Sequence, residues 1–248
     1  LNMPFDTNES STDTGAIRDY STNENNGTLG GGTESNAPAW TSNGKAGGAY
    51  EFDGGDDYIT ITEKQFSDSD PWTLSAWLYQ TGTKNYEFWT GDISTGMGIN
   101  LDEAEGIIHF RDKDTTYHTW DVGFNYKNAW HYFVWVSYGD NNIELYIDGT
   151  SHGNISSPGQ FYIQAIGRGY SSSDWNFEGK IDEYIVYDSS LSPEQINVSY
   201  QAGLENHSVQ TVVSQETTNG DNWTCAVTPN DGYTDGATKL SSGLVIEN

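Results

Sequence analysis

The chain has 248 residues, enough for one large β-sandwich with or without a small appendage, and its 34% hydrophobic and 14% aromatic content can fill a core. Ten basic residues against 36 acidic ones give a formal charge of −26, which repels phosphate backbones and anionic lipid headgroups and so argues against a nucleic-acid partner. Such an acidic surface suits divalent cations or high salt, and makes calcium the leading cofactor, because hard cations prefer carboxylate, amide and carbonyl oxygens.

Taken in chain order, short strand signals recur between turn residues: 49–52, 58–61, 73–79, 87–89, 106–110 and 131–136, then 143–147, 161–166 and 180–187. Regular short strands punctuated by Gly, Asp and Asn read as an antiparallel sandwich. Ile59 and Ile61 alternate with Tyr58, Thr60 and Thr62, and Ile143, Leu145 and Ile147 alternate with Glu144 and Tyr146, so each of these strands is expected to bury one face. The nearly continuous apolar run 130–135 suits a central strand, and Gly139-Asp140-Asn141-Asn142 then supplies a hairpin turn. One helix is expected near 192–200, with Ser192 as cap, Pro193 in the first turn, Glu194 and Gln195 at the positive end of the dipole, and Gly203 as its end. After Glu205 only three weak strand signals remain, too few to close a sandwich, so this tail must pack on the main domain, continue into a further repeat, or be completed by another chain.

Several of these strings have a familiar order. Phe52-Asp53-Gly54 with Asp57-Tyr58-Ile59, Trp72-Thr73-Leu74-Ser75-Ala76-Trp77, Trp130-His131-Tyr132-Phe133, Leu145-Tyr146-Ile147-Asp148-Gly149, Gly179-Lys180-Ile181-Asp182-Glu183 and Leu191-Ser192-Pro193-Glu194-Gln195-Ile196 follow one another at characteristic spacing. The set resembles laminin-G-like jelly-roll domains of the concanavalin-A-like superfamily. The resemblance implies an all-β antiparallel β-sandwich jelly roll over 1–203, followed by a small C-terminal β segment over 204–248. That segment, through Gly220-Asp221-Asn222-Trp223-Thr224 and Val227-Thr228-Pro229-Asn230-Asp231-Gly232, is similar to the last strands of an immunoglobulin-like unit. In archaeal and bacterial surface proteins such a unit often follows a jelly roll, which implies an extracellular or cell-surface location.

For chemistry, the run Asp19-Tyr20-Ser21-Thr22-Asn23-Glu24-Asn25-Asn26-Gly27 sets oxygen-bearing side chains at alternate positions, as calcium loops do, although the Gly and Glu of an EF-hand are missing. Asp19, Asn23 and Asn25 are therefore candidate ligands; the alternative is a solvated Asn-rich loop. The resemblance adds Asp182, from the Gly-x-Ile-Asp-Glu strand, and more weakly Asp6. The turn Asp53 to Asp57 also collects carboxylates, but reads more simply as an exposed turn. No strand carries the paired carboxylates of a retaining glycosidase, His109, His118, His131, His152 and His207 lack metal-enzyme spacing, and no Gly-x-Ser-x-Gly motif occurs, so no catalytic residue is assigned.

The expected function is a non-enzymatic extracellular binding or adhesion module with structural calcium. Its natural partner is a glycan or surface glycoprotein, because 116–125 and 167–176 read as loops that combine Tyr117, Trp120, Tyr170 and Trp175 with polar neighbours; burial in the core is the equal alternative for each ring. The rival reading is a structural envelope or filament subunit that contacts other copies through β edges. Sequons at Asn8, Asn26, Asn154, Asn197, Asn206 and Asn222 agree weakly with a surface location, lone Cys225 rules out an intrachain disulfide, and no apolar run reaches the roughly 18 residues of a membrane span.

Overall fold

The computed structural model describes residues 1–82, 86–90 (backbone only), 98–101, 106–112, 114, 116–156, 159–168, 176–209, 217–227 and 237–246. The chain divides into two compact units, Leu1–Thr211 and Val212–Asn248.

In the first unit the strands are β1 (Asn2–Met3), β2 (Thr28–Leu29), β3 (Ala39–Thr41), β4 (Ala49–Asp53), β5 (Ile59–Phe66), β6 (Pro71–Gln80), β7 (Tyr86–Thr90), β8 (Gly98–Leu101), β9 (Ile107–Arg111), β10 (Tyr117–Asp121), β11 (Trp130–Tyr138), β12 (Asn142–Ile147), β13 (Thr150–Ser156), β14 (Phe161–Ile166) and β15 (Glu178–Tyr187), followed by helix α1 (Pro193–Leu204). They form two antiparallel sheets. One runs β13-β12-β11-β6-β15-β4-β3 with β1 added to β15, and the other runs β10-β9-β8-β7-β14-β5-β2. Between them lies one continuous core that includes Tyr50, Phe52, Ile59, Leu74, Phe110, Phe133, Trp135, Leu145 and Ile163, all at most 1% exposed. The fold is therefore an all-β jelly-roll sandwich, as the strand spacing predicts.

The hairpins form where the turn chemistry demands. Asn141 adopts φ 63° between β11 and β12, and Asp148 and Gly149 take φ 52° and 76° between β12 and β13, the paired left-handed conformation of a two-residue turn whose twist matches the strands.

Two expectations change at the helix. Tyr146 is 4% exposed, so β12 buries both faces rather than one. The reason is that Trp77, Tyr132, Val134, Val136 and Tyr146, on the outer face of the first sheet, form a second core with Leu191 and Ile196, and Tyr200 stacks on Trp77 at 5.9 Å. Ser192 does cap α1: its hydroxyl accepts from the Gln195 N–H while the Gln195 side chain accepts from the Ser192 N–H, a reciprocal capping box. Gly203, however, does not end the helix, which runs to Leu204; Asn206, at φ 61°, supplies the left-handed residue beyond it. Gly203 is needed for packing, since a Cβ there would lie 2.3 Å from the Trp77 ring. Gly203→Ala is expected to cost about 2 kcal/mol, or about 4–8 °C in melting temperature, through overpacking; an unchanged thermal transition would contradict this role.

In the second unit the strands are β16 (Asn222–Trp223), β17 (Ala226–Val227), β18 (Lys239–Leu240) and β19 (Leu244–Val245), paired antiparallel as β16 with β19 and β17 with β18. Each ladder is only two residues long, below what stabilises a sheet alone.

Candidate functional site

Asp182 is a polar group held wholly inside the sandwich, 0% exposed. It stands where β15 changes partner: residues 178–181 pair with β4, whereas 184 and 185 pair with β1. A bulge interrupts the ladder to β6 between Asp182 and Ile185, with Glu183 at φ 49°, and such bulges re-aim side chains. The Asp182 carboxylate fills the gap. Its Oδ2 accepts the N–H groups of Lys45 (2.6 Å) and Ala46 (2.9 Å), and its Oδ1 that of Glu183 (2.8 Å). Gly44 permits this approach, because a Cβ there would come within 2.9 Å of Asp182 Oδ2 and 2.2 Å of the Gly48 carbonyl oxygen.

Asp6 grips the other end of the same turn. Its Oδ1 accepts the Gly48 N–H at 3.2 Å. Burial pushes the Asp6 carboxyl up to about 6, and drives Asp182 well above the usual carboxylate range, where the charges of Glu183 and Asp6 add to the effect. Among the described residues no basic side chain forms an ion pair with either group, and the Lys45 ammonium instead lies 5.0 Å from the centroid of the Trp77 ring. Two neighbouring carboxylates at one turn, with Asp182 fully buried and acted on by the Lys45 charge, offer the oxygen ligands that a hard cation prefers.

The Asp19 loop is built differently. Asp19 Oδ1 accepts the N–H groups of Asn2 (2.7 Å) and Ser21 (2.8 Å), and Oδ2 accepts the Ser21 hydroxyl (2.8 Å) and the Asn25 N–H (2.9 Å). Four donors occupy the four lone-pair positions of a carboxylate. Burial raises the Asp19 pKa, but the donors from Asn2, Ser21 and Asn25 outweigh it and leave the group below its ordinary value. Asn23 is exposed, and its N–H bonds to Ser21 Oγ at 3.2 Å. The structure thus brings Asp6 and Asp182 to one turn, and among the described residues no hydrogen bond joins Asp19, Asn23 or Asn25 to that turn. The alternate oxygens wind the loop around Asp19 itself, because N–H groups satisfy a carboxylate as an ion would.

A third acidic group, Asp53, Asp56 and Asp57, places one oxygen from each within 4.8 Å of the others. Its bonds are those of a turn: Asp57 Oδ2 accepts the Asp53 N–H at 2.9 Å, and Asp53 Oδ1 the Gly55 N–H at 2.7 Å. Burial pushes the Asp57 carboxyl up to about 6.

The four candidate aromatic residues have separate fates. Residues 117–121 form a strand, not part of a loop, and successive side chains of a strand point to opposite faces. Tyr117 and Trp120, three apart, therefore cannot share a surface. Trp120 is a core residue, 3% exposed, with its indole N–H donated to the Gly153 carbonyl at 3.0 Å; this corrects its assignment as a ligand platform. Tyr117 is 47% exposed on the outer face of the second sheet. Tyr170 and Trp175 lie outside the described residues.

Around Tyr117 that face carries polar groups which sequence reading missed. His109 stands opposite Thr119 and bonds to its hydroxyl at 2.8 Å through Nδ1, with its ring 5.5 Å edge-on from Tyr117. The Arg111 guanidinium is 5.7 Å from the centroid of the same ring. Asn100 is the partner of His109 on β8, so Asn100, His109 and Thr119 make a row across three strands; Asn100 is 3% exposed and its Oδ1 has no hydrogen-bond partner. The period-two alternation of 107–111 could have found His109 and Arg111, but only the register places them beside Tyr117.

A laminin G family profile, from the concanavalin A-like lectin/glucanases superfamily, matches residues 53–197. The chain belongs to this superfamily. Within it, the jelly roll is similar to domain 4 of an extracellular arabinanase from Geobacillus stearothermophilus, solved with arabinotriose: 20% identity, TM-score 0.60, covering 79% of this chain and 95% of that one. It is also similar to the binding domain of Paraclostridial mosquitocidal protein 1, at 14% identity and TM-score 0.53, covering 75% of this chain and 49% of that one. The ligand-binding domain of botulinum neurotoxin serotype D, solved with N-acetylneuraminic acid, matches at 15% identity and TM-score 0.50, covering 68% and 47%. The chain spans about half the length of the two toxin domains. No curated protein matches the sequence. At these identities the likeness establishes the fold, and the solved neighbours are binding domains.

Proposed function

We propose that this superfamily member is a non-catalytic extracellular module that binds glycans through the outer face of its second sheet. One observation carries the reading: α1 seals the outer face of the first sheet with its own apolar core, whereas the second sheet presents exposed Tyr117 with a bonded His109–Thr119 pair and Arg111 on one face. An aromatic ring stacks on the C–H face of a sugar while imidazole, guanidinium and hydroxyl groups bond its hydroxyls. Neighbours solved with arabinotriose and with N-acetylneuraminic acid support this ligand class. Structural calcium is part of the proposal, with Asp6 and Asp182 as the residues that would hold it and neutralisation of their charge as what it would supply. Among the described residues no helix is long and apolar enough to cross a membrane.

On a glycan array the protein is expected to bind a defined subset of neutral or sialylated oligosaccharides, and Tyr117→Ala to weaken the best of them about tenfold with no loss of melting temperature. Retained affinity in that variant would remove the sheet face from consideration.

One observation favours the second reading, assembly with other copies through an immunoglobulin-like tail: Trp223, Leu240, Leu244 and Val245 are 37%, 70%, 67% and 53% exposed. Sedimentation of full-length protein and of a form truncated before residue 205 decides it; a monomer in both cases excludes assembly.

A further inference from the structure

Away from the second sheet, a cleft of about 270 Å³ opens between the N-terminal segment and β4, lined by Phe5, Asp6, Ile17, Arg18, Tyr20 and Tyr50 among others. Its floor is apolar and closely packed. Phe5 and Tyr50 meet edge to face at 5.2 Å, and with Ile17 they are at most 4% exposed. Phe5 adopts φ 60°, a left-handed conformation that is costly for a bulky residue. It is held there by the Trp40 indole N–H, donated to the Phe5 carbonyl at 2.8 Å, and by the Gly48 N–H on the next residue, Asp6, at 3.2 Å. Strain maintained by surrounding bonds gathers at ligand-binding positions.

The mouth is polar and of mixed charge. Arg18 and Tyr20 are exposed, Tyr20 to 48%, and the guanidinium lies 4.8 Å from the centroid of the phenol ring. Glu9 also lines the cleft and brings a carboxylate opposite in charge to Arg18.

We infer that this cleft is a second carbohydrate subsite, which takes one uncharged sugar ring. The inference rests on the glycan reading above but on a different surface. Its volume falls just below the roughly 300–1,000 Å³ of sites that enclose drug-sized ligands, which suits one ring rather than a chain. A sugar offers a C–H face to the exposed Tyr20 ring at the edge of the apolar floor, and hydroxyls that can donate to the Glu9 carboxylate and accept from the Arg18 guanidinium. With Asp6 committed to the cation, the opposed charges of Glu9 and Arg18 leave a neutral ligand without a charge penalty.

The test is titration of the full chain by ligand-observed saturation-transfer NMR with arabinose, galactose and glucose, and with glucosamine and glucuronate as charged probes. At least one neutral monosaccharide is expected to bind the parent protein and Tyr117→Ala within about twofold of each other, and to bind Tyr20→Ala about tenfold more weakly. Binding of no neutral monosaccharide, binding unaffected by Tyr20→Ala, or tighter binding of either charged probe would overturn the assignment. If oligosaccharides still bind in a Tyr117-dependent manner, the cleft alone fails; if no glycan of any length binds, the glycan reading fails with it.

Discussion

Asp19→Ala is expected to lower the melting temperature by about 6–12 °C, the equivalent of about 3 kcal/mol in a domain of this size. One truncation leaves the N–H groups of Asn2, Ser21 and Asn25 and the Ser21 hydroxyl without the acceptor they share. The loss should be long-range in effect, because the Asn2 N–H ties the loop to β1, which pairs with β15 in the first sheet. Asp19→Asn keeps one acceptor oxygen and should cost less. The acid side gives an independent signature. Because the folded-state pKa of Asp19 is depressed, its contribution is present above the unfolded value near 3.8 and is lost as pH falls through the folded value. The alanine variant should therefore lack part of the parent's acid-induced loss of stability below pH ~4. Melting curves that coincide for the parent and Asp19→Ala would show that the loop is not organised by this carboxylate.

The largest solution effect is expected from pH and calcium together. Asp6 and Asp57 are raised to about 6 and Asp182 well above the ordinary carboxylate value, so in the metal-free protein the native state holds more protons than the unfolded one once pH exceeds that ordinary value. Stability must then fall as pH rises from about 4 to above 6, the opposite sense to Asp19. With about 1 kcal/mol allotted to each of the two partly solvated groups, after discounting for screening, the melting temperature in chelator should be at least about 5 °C lower at pH 8 than at pH 5. A cation bound between Asp6 and Asp182 would replace the missing protons. Calcium should thus raise the melting temperature at pH 8, have little effect at pH 5, and lose its effect in Asp182→Asn. Asp57→Asn should reduce the pH dependence that remains in calcium. A melting temperature in chelator that rises from pH 5 to pH 8 would contradict the burial of these carboxylates, and equal curves with calcium and chelator at pH 8 would eliminate the metal.

The sandwich, its hairpins at Asn141 and Asp148-Gly149, and the capped helix were legible in the sequence because each depends on local rules: alternation of apolar residues, left-handed φ at Asn, Asp and Gly, and a Ser-to-Gln capping box. Tertiary structure decided what local rules do not reach. Which face of a strand meets water depends on what packs there, so α1 buried Tyr146, and register sent Trp120 inward while leaving Tyr117 out beside His109 and Arg111. Gly203 looked like a helix end because glycine commonly is one, yet Trp77, 126 residues away in sequence, set its role. The oxygen spacing of 19–25 marks a loop that needs a centre, but not whether an ion or the carboxylate of Asp19 is that centre. The latter depends on the Asn2 N–H, delivered by β1, and the cation proposal rests instead on Asp6 and Asp182, brought together only where β15 exchanges one partner strand for another.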